Sequence, residues 1–356
     1  MPTLFDPIKV GALTLPNRIW MAPLTRTRAL EGSRVPAPLA IEYYAQRAGA
    51  GLILTEATSV DAMGVGYPNT PGIWLDEQTE GWKPIVQAVH QKGGHIFLQL
   101  WHVGRISDPL YLDGKQPVSA SAIAAKGHVS LVRPEKDYTV PRALETSEIP
   151  GIIAAYKTGA ANAKAAGFDG VEIHGANGYL LDQFLQDSTN HRTDAYGGSR
   201  EKRARLMLEV ADAVCEVWGA DRVGMHLAPR GDAHTMGDSD LKGTFSYVAK
   251  ELGKRELAFL CARERQAEDS IGPVLKEAFG GVYVVNEGFT KESGQAALDA
   301  GIADAVAYGK DYIANPDLVV RFKANAPLNK WDAATFYAPG PHGYTDYPAL
   351  ETVAAE

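Results

Sequence analysis

The chain has 356 residues, 45% of them apolar and 22% charged, with a formal net charge of −8. That size admits two ordinary domains or one large α/β barrel, and the balance is that of a globular protein with a sizeable core. An acidic chain with no apolar run long enough to span a bilayer argues against nucleic acid and membranes as partners.

The opening Met1-Pro2-Thr3-Leu4-Phe5-Asp6 lacks a basic stretch followed by an apolar one, so no signal peptide is expected. Of the two cysteines, Cys215 falls in a helical pattern and Cys261 in a strand pattern, and both read as inert thiols. The expectation is a soluble cytoplasmic protein, monomer or homodimer, working on a small molecule.

Residues 2–15 read as a β-hairpin turning near Gly11-Ala12 and capping one end of the fold. Apolar runs then predict strands at Ile19–Pro23, Leu52–Ala57, His95–His102, Gly170–His174, Val223–Pro229, Leu257–Ala262, Val282–Asn286 and Ala303–Gly309. Between and after them, helical patterns cover Trp82–Gln91, Ile149–Ala166, Glu201–Trp218, Phe245–Leu252, Ile271–Phe279, Lys291–Ala300 and Pro316–Ala324, several closed by glycine. Strands alternating with amphipathic helices make a parallel sheet, and eight such units predict a closed (β/α)₈ TIM barrel spanning residues 1–356 as one domain. The rival open sheet lacks a strand-linked Gly-x-Gly-x-x-Gly. Two segments stand outside the units: an excursion over 103–148, rich in Pro, Gly and Ser, and an aromatic tail over 327–356, expected to fold back on the barrel.

Barrel enzymes place their chemistry at the C-terminal ends of the strands. There the chain carries His174-Gly175-Ala176-Asn177-Gly178-Tyr179, two hydrogen-bonding side chains and a phenol that together can grip a carbonyl oxygen and deliver a proton beside it. Gly288 and Gly309-Lys310, at the ends of the last two strands, suit a phosphate held by backbone N–H groups and a cation. The strand ends offer neither paired carboxylates nor a Ser-His-Asp triad. His226, Asp232 and His234 lack a recognised ligand spacing, so no metal is expected.

Long motifs extend the picture: Asn17-Arg18 through Met21-Ala22-Pro23-Leu24-Thr25-Arg26, Glu42-Tyr43-Tyr44-Ala45-Gln46-Arg47-Ala48, and Gln99-Leu100-Trp101-His102-Val103-Gly104-Arg105. Asn190-His191-Arg192-Thr193-Asp194, Ala314-Asn315-Pro316-Asp317-Leu318 and Gly343-Tyr344-Thr345-Asp346-Tyr347-Pro348 complete the set. With the His174 segment, they make the chain resemble the Old Yellow Enzyme family of flavoprotein ene-reductases, most of all its bacterial nitrate-ester and nitroaromatic (xenobiotic) reductases. The resemblance implies FMN as cofactor and NADPH or NADH as reductant. It implies that Pro23 and Ala57 cradle the flavin ring, Thr25 and Gln99 bond its edge, and Gly288, Gly309 and Lys310 hold its phosphate. It further implies that His174 and Asn177 bind the substrate oxygen and Tyr179 protonates the α-carbon, with Trp101 and Tyr337 shaping the pocket.

The chain departs from that pattern at three positions, of which Lys202 in Ser199-Arg200-Glu201-Lys202-Arg203, where Asn is usual, is expected to have only a structural effect. His226 stands where most relatives carry an arginine facing flavin N1, which makes flavin reduction weaken above the histidine pKa, ordinarily near ~6.5; Arg230 is a candidate to compensate. Lys310 replaces an arginine and offers a point charge in place of a bidentate fork. Arg142 has two readings, a contact with the NADPH phosphate or a salt bridge at a helix entry. Two other functions stay open on the residues alone: an aldolase-type lyase with Lys310 as Schiff base, and a flavin-binding sensor without turnover.

Overall fold

The computed structural model describes residues 1–350; the last six residues of the tail lie outside the described residues. Strands β1 (Ile8–Val10) and β2 (Leu13–Leu15) pair antiparallel across Gly11-Ala12. The barrel strands are β3 (Ile19–Met21), β4 (Ile53–Leu54), β6 (Ile96–Trp101), β9 (Gly170–His174), β10 (Val223–Leu227), β11 (Phe259–Arg263), β12 (Tyr283–Asn286) and β13 (Ala305–Tyr308). All eight run parallel in the order β4-β3-β13-β12-β11-β10-β9-β6, and the β4–β6 pairing closes the ring.

The interior of the ring is packed, not hollow. Trp20, Leu54, Phe97, Phe259, Val284 and Ala305 fill it, and Ile8, Val10 and Leu15 of the hairpin seal the bottom. Two glycines make room for the rings: a Cβ at Gly170 would overlap Phe97, and one at Gly224 would overlap Phe259. Helices α1 (Leu39–Gln46), α2 (Asp76–Gln91), α3 (Ile149–Ala165), α4 (Leu180–Leu185) and α5 (Arg200–Trp218) follow the first half of the barrel. The second half carries α6 (Leu241–Lys254), α7 (Gly272–Phe279), α8 (Lys291–Asp299), α9 (Lys310–Ala314) and α10 (Leu318–Ala324).

The expected strands are all present, several shorter than the apolar runs. The run Leu52–Ala57 narrows to β4 because Thr55 Oγ1 accepts the Gln99 N–H at 3.1 Å, where a ladder carbonyl otherwise would; pairing with β6 resumes at β5 (Thr58–Ser59). Helix α2 starts six residues before the expected Trp82, at Asp76. Its first turn is acidic, which suits the positive helix end, but apolar spacing does not announce it. Helices α1, α4 and α9 are not among the expected ones; α4 and α9, six and five residues long, are largely buried, whereas α1, eight residues, buries one face through Ala40, Tyr43 and Tyr44.

The excursion folds over the mouth. It contains β7 (Val118–Ser119) and β8 (Arg142–Ala143), and its Val103, Ile106, Val129 and Tyr138 pack with Ala57, Trp101, Tyr67 and Tyr179. Arg142 takes the salt-bridge alternative, to Glu148 at 2.6 Å. The tail returns to the segment that follows β3. Arg26 donates to the carbonyls of Phe336 and Gly343 at 3.1 and 2.8 Å, and Arg28 to that of Thr335 at 3.0 Å. The Tyr344 ring stacks on Tyr43 with centroids 3.9 Å apart.

Candidate active site

The turn from β9 into α4 builds the centre of the site. Asn177 sits at φ 58, a left-handed conformation that asparagine tolerates, followed by Gly178 at φ 76. Asp182 holds the turn by accepting the Gly178 N–H at 2.9 Å, and burial pushes its carboxyl up to about 7. Leu180 N–H donates to His102 O at 3.0 Å, which fixes the turn to the end of β6. His102 itself is buried, its Nδ1 accepting from Gly104 N–H at 3.1 Å.

Two side chains of this segment each have one polar atom already engaged. His174 is 5% exposed; burial, then the charges of His226 and Arg263, hold its pKa well below the ordinary value, so the ring is neutral. Its Nδ1 accepts the Ala176 N–H at 3.3 Å, which puts the proton on Nε2. The Asn177 Oδ1 accepts from Arg263 Nη1 at 2.9 Å, which leaves its NH₂ group as the free donor. Tyr179 stands over the same side, its ring 5.0 Å from both Trp101 and His174. Its hydroxyl meets that of Tyr67 at 2.8 Å. Burial, and then the neighbouring Tyr67, raise the phenol pKa well above 10.0.

Beneath lies a polar floor. Gln99 Nε2 donates to Glu172 Oε2 at 2.7 Å, and Glu172 Oε1 meets His226 Nδ1 at 3.2 Å. His226 is 3% exposed and registers beside His174 on β9 and Cys261 on β11. Burial lowers its pKa, but the Cys261 sulfur and the Glu172 carboxylate outweigh that and raise it to about 10. Burial also raises the Cys261 thiol, so that side chain is neutral and Glu172 carries the attraction. The expectation of a histidine switching near neutral pH is thereby corrected: a buried carboxylate keeps it an imidazolium. Glu172, His226 and Cys261 also bring an oxygen, a nitrogen and a sulfur within 4.8 Å of one another, a set able to ligate a metal. The two hydrogen bonds already made by Glu172 read more simply as a buried ion pair.

Around this centre, Pro23 and Thr25 follow β3 as half-buried residues, and Ala57 is 5% exposed after β4. Gly288 takes φ 78 with open space where a Cβ would be; Gly309 precedes α9, whose first residue is the exposed Lys310. The Lys310 ammonium lies 4.8 Å from the Trp331 ring centroid. Trp101 is wholly buried, and Tyr337 is 49% exposed on the tail. Arg230 does not compensate near His226; it pairs with Glu264 at 3.1 Å and with Asp269.

A flavin mononucleotide fits these donors. His226 Nε2 and Trp101 Nε1 are buried with no partner among the described residues, and buried N–H groups require acceptors such as flavin carbonyls and ring nitrogens. Gly288 after β12 and Gly309 after β13, with Lys310, have the chemistry of a phosphate cradle. Three residues of the site carried no role in the sequence reading: Tyr67, Glu172 and Arg263. Arg263 was visible as a strand end, but nothing local showed which way it faced.

The NADH:flavin oxidoreductase / NADH oxidase family model matches residues 3–329. The chain belongs to this family. It is 44% identical to 12-oxophytodienoate reductase 2 of Arabidopsis thaliana, over 99% of this chain and 96% of that one. It is 45% identical to the putative 12-oxophytodienoate reductase 3 of Oryza sativa subsp. japonica, over 98% and 93%. Among solved structures it superposes on the Old Yellow Enzyme homologue from Zymomonas mobilis with a TM-score of 0.95 at 47% identity, covering 98% and 100% of the two chains. Morphinone reductase in complex with tetrahydroNAD gives 0.96 at 47% identity, with both chains covered fully. The protein is an FMN-dependent oxidoreductase of the Old Yellow Enzyme type.

Proposed function

We propose that this family member is an NAD(P)H-driven ene-reductase acting on α,β-unsaturated carbonyl compounds, and on nitro compounds or nitrate esters in the same pocket. The observation that carries the reading is the pair of donors on the β9–α4 turn, each fixed by a second hydrogen bond of its own. When bound, FMN supplies the two-electron relay between nicotinamide and acceptor. Pro23, Thr25, Ala57, Gln99 and His226 would hold its ring, and Gly288, Gly309 and Lys310 its phosphate.

His174 Nε2–H and the Asn177 amide donate to the acceptor's carbonyl oxygen. Charge drawn onto that oxygen makes the β-carbon electrophilic, and the two donors stabilise it as it grows. The β-carbon receives hydride and the α-carbon a proton from the Tyr179 hydroxyl, giving the saturated carbonyl. The raised phenol pKa keeps Tyr179 protonated at working pH, and Tyr67 is placed to return a proton to it. Trp101 and Tyr337 bound the pocket and exclude water from the reacting carbons.

Nicotinamide and acceptor use the pocket in turn, a ping-pong cycle. No helix among the described residues is long and apolar enough to cross a membrane. A cytoplasmic setting suits the reading, with a nicotinamide pool at hand and both cysteines, Cys215 and Cys261, free. The test is the visible spectrum during anaerobic addition of NADPH, then of 2-cyclohexenone. Flavin bands that bleach and recover support the reading; bands that bleach and stay bleached reject enones as acceptors.

A further inference from the structure

Arg263 ends β11 two residues past Cys261, on the same face of the strand, and so reaches the barrel mouth above the polar floor. Its guanidinium spans two loops. Nη1 donates to Asn177 Oδ1 at 2.9 Å on the β9–α4 turn, and Nη2 pairs with Glu287 Oε1 at 3.2 Å on the loop after β12. Both partners sit in left-handed backbone, Asn177 at φ 58 and Glu287 at φ 91. For glutamate this is a costly conformation, held here with its carboxylate on the arginine.

We propose that Arg263 is a positioning and specificity residue for the substrate-oxygen site: it orients the Asn177 amide and sets a fixed positive charge beside the oxygen that the amide receives. An asparagine amide presents either an oxygen or an NH₂ group, and the two faces differ little in shape. A cation on Oδ1 decides the matter, since the flipped amide would turn its NH₂ toward the guanidinium and its oxygen toward the substrate's. The consequence is a preference among acceptors. Those whose oxygen is already anionic, as in a phenolate, gain more from the arrangement than a neutral ketone does. Glu287 limits the excess charge and anchors the other end of the fork. The inference rests on the ene-reductase reading, because it assumes that His174 and Asn177 receive an oxygen.

A double-mutant cycle tests it, using FMN-loaded protein and 4-nitrophenolate as a stable oxyanion, with binding followed by the change in flavin absorbance. Arg263→Met should weaken binding about tenfold, the size expected for a hydrogen bond to a charged group. In an Asn177→Ala background the same change should cost only about two- to threefold, because the group it positions is gone and only the direct pull of its charge on the oxyanion remains. Arg263→Lys should keep its FMN content and regain part of the affinity. Equal losses in both backgrounds, or a lysine variant no better than methionine, would overturn the positioning role. Wild-type flavin that reoxidises with 2-cyclohexenone while the cycle proves additive would sink this inference alone; wild-type protein that takes up no FMN would sink both.

Discussion

Tyr179 and His226 carry the clearest consequences of single side chains. Replacing Tyr179 by phenylalanine removes the proton donor and little else, because Trp101 and His174 still pack its ring. Alkene reduction should slow by about 10²-fold or more, the usual worth of general acid catalysis, while NADPH reduces the flavin at an unchanged rate. Stopped-flow traces of the two half-reactions separate these, and equal losses in both would refute the assignment. Tyr67→Phe should slow the alkene half-reaction less, since solvent can still reprotonate the phenol.

His226 makes a prediction about pH. Its folded pKa, about 10, lies above the unfolded value, so the stabilisation it lends is complete below the unfolded pKa near ~6.5 and is lost as pH rises through the folded one. His226→Gln leaves Glu172 buried without its cation, at a cost of about 3 kcal/mol near neutral pH. Denaturant titrations of both proteins should show that difference shrinking as pH climbs from 7 toward 10. Flavin reduction should stay level from pH 6 to 9, because the imidazolium persists; a fall centred near neutral pH would contradict the buried ion pair.

Among the elements, the tail and the β9–α4 turn place the chemistry by different means. The tail has almost no regular structure of its own, and two arginines hold it by its carbonyls. Tyr344→Ala removes a fully buried ring stacked on Tyr43, which should cost about 3–5 kcal/mol. Because Thr27 Oγ1 donates to Tyr337 O at 3.0 Å, a loosened tail should also move the pocket wall and raise KM for bulky enones more than it lowers kcat. Steady-state kinetics on a small and a large enone would show this. The turn was legible in the sequence because all its parts are neighbours in the chain. The tail was legible as an aromatic stretch that folds back on the barrel, but not in its contacts, since its partners Arg26, Arg28 and Tyr43 lie some three hundred positions upstream.

For the molecule as a whole, the packed barrel interior is the platform, and it lies apart from the chemistry. Phe259 is wholly buried there, edge-on to Trp20 at 5.1 Å between centroids. Phe259→Ala should cost about 3–5 kcal/mol through lost burial and a residual cavity. Flavin spectrum and pocket kinetics should remain near normal below the new melting temperature. A variant that folds well yet loses FMN would show that interior and mouth are mechanically one.

The chain's own pattern determined the eight strands, the order of strand and helix, the capping hairpin and the residues at the strand ends. Those follow from local periodicity, and parallel strands buried on both faces announce themselves as short apolar runs. Of the helices that escaped, α4 is buried at every position and α9 at three of five, so neither shows a polar face, while α1 does carry a helical spacing in Ala40, Tyr43 and Tyr44. Tertiary structure alone decided the electrostatics. His226 carried only its ordinary pKa, near ~6.5, in the sequence, whereas its charge is fixed by Glu172, 54 positions away. Arg230 read as a helper from proximity in the chain, yet it turns to Glu264 and Asp269. Arg263 reaches Asn177 across 86 positions. Apolar burial sums over local surface and so leaves a local signature; a hydrogen bond or ion pair depends on a few ångströms between groups that only the closed barrel brings together.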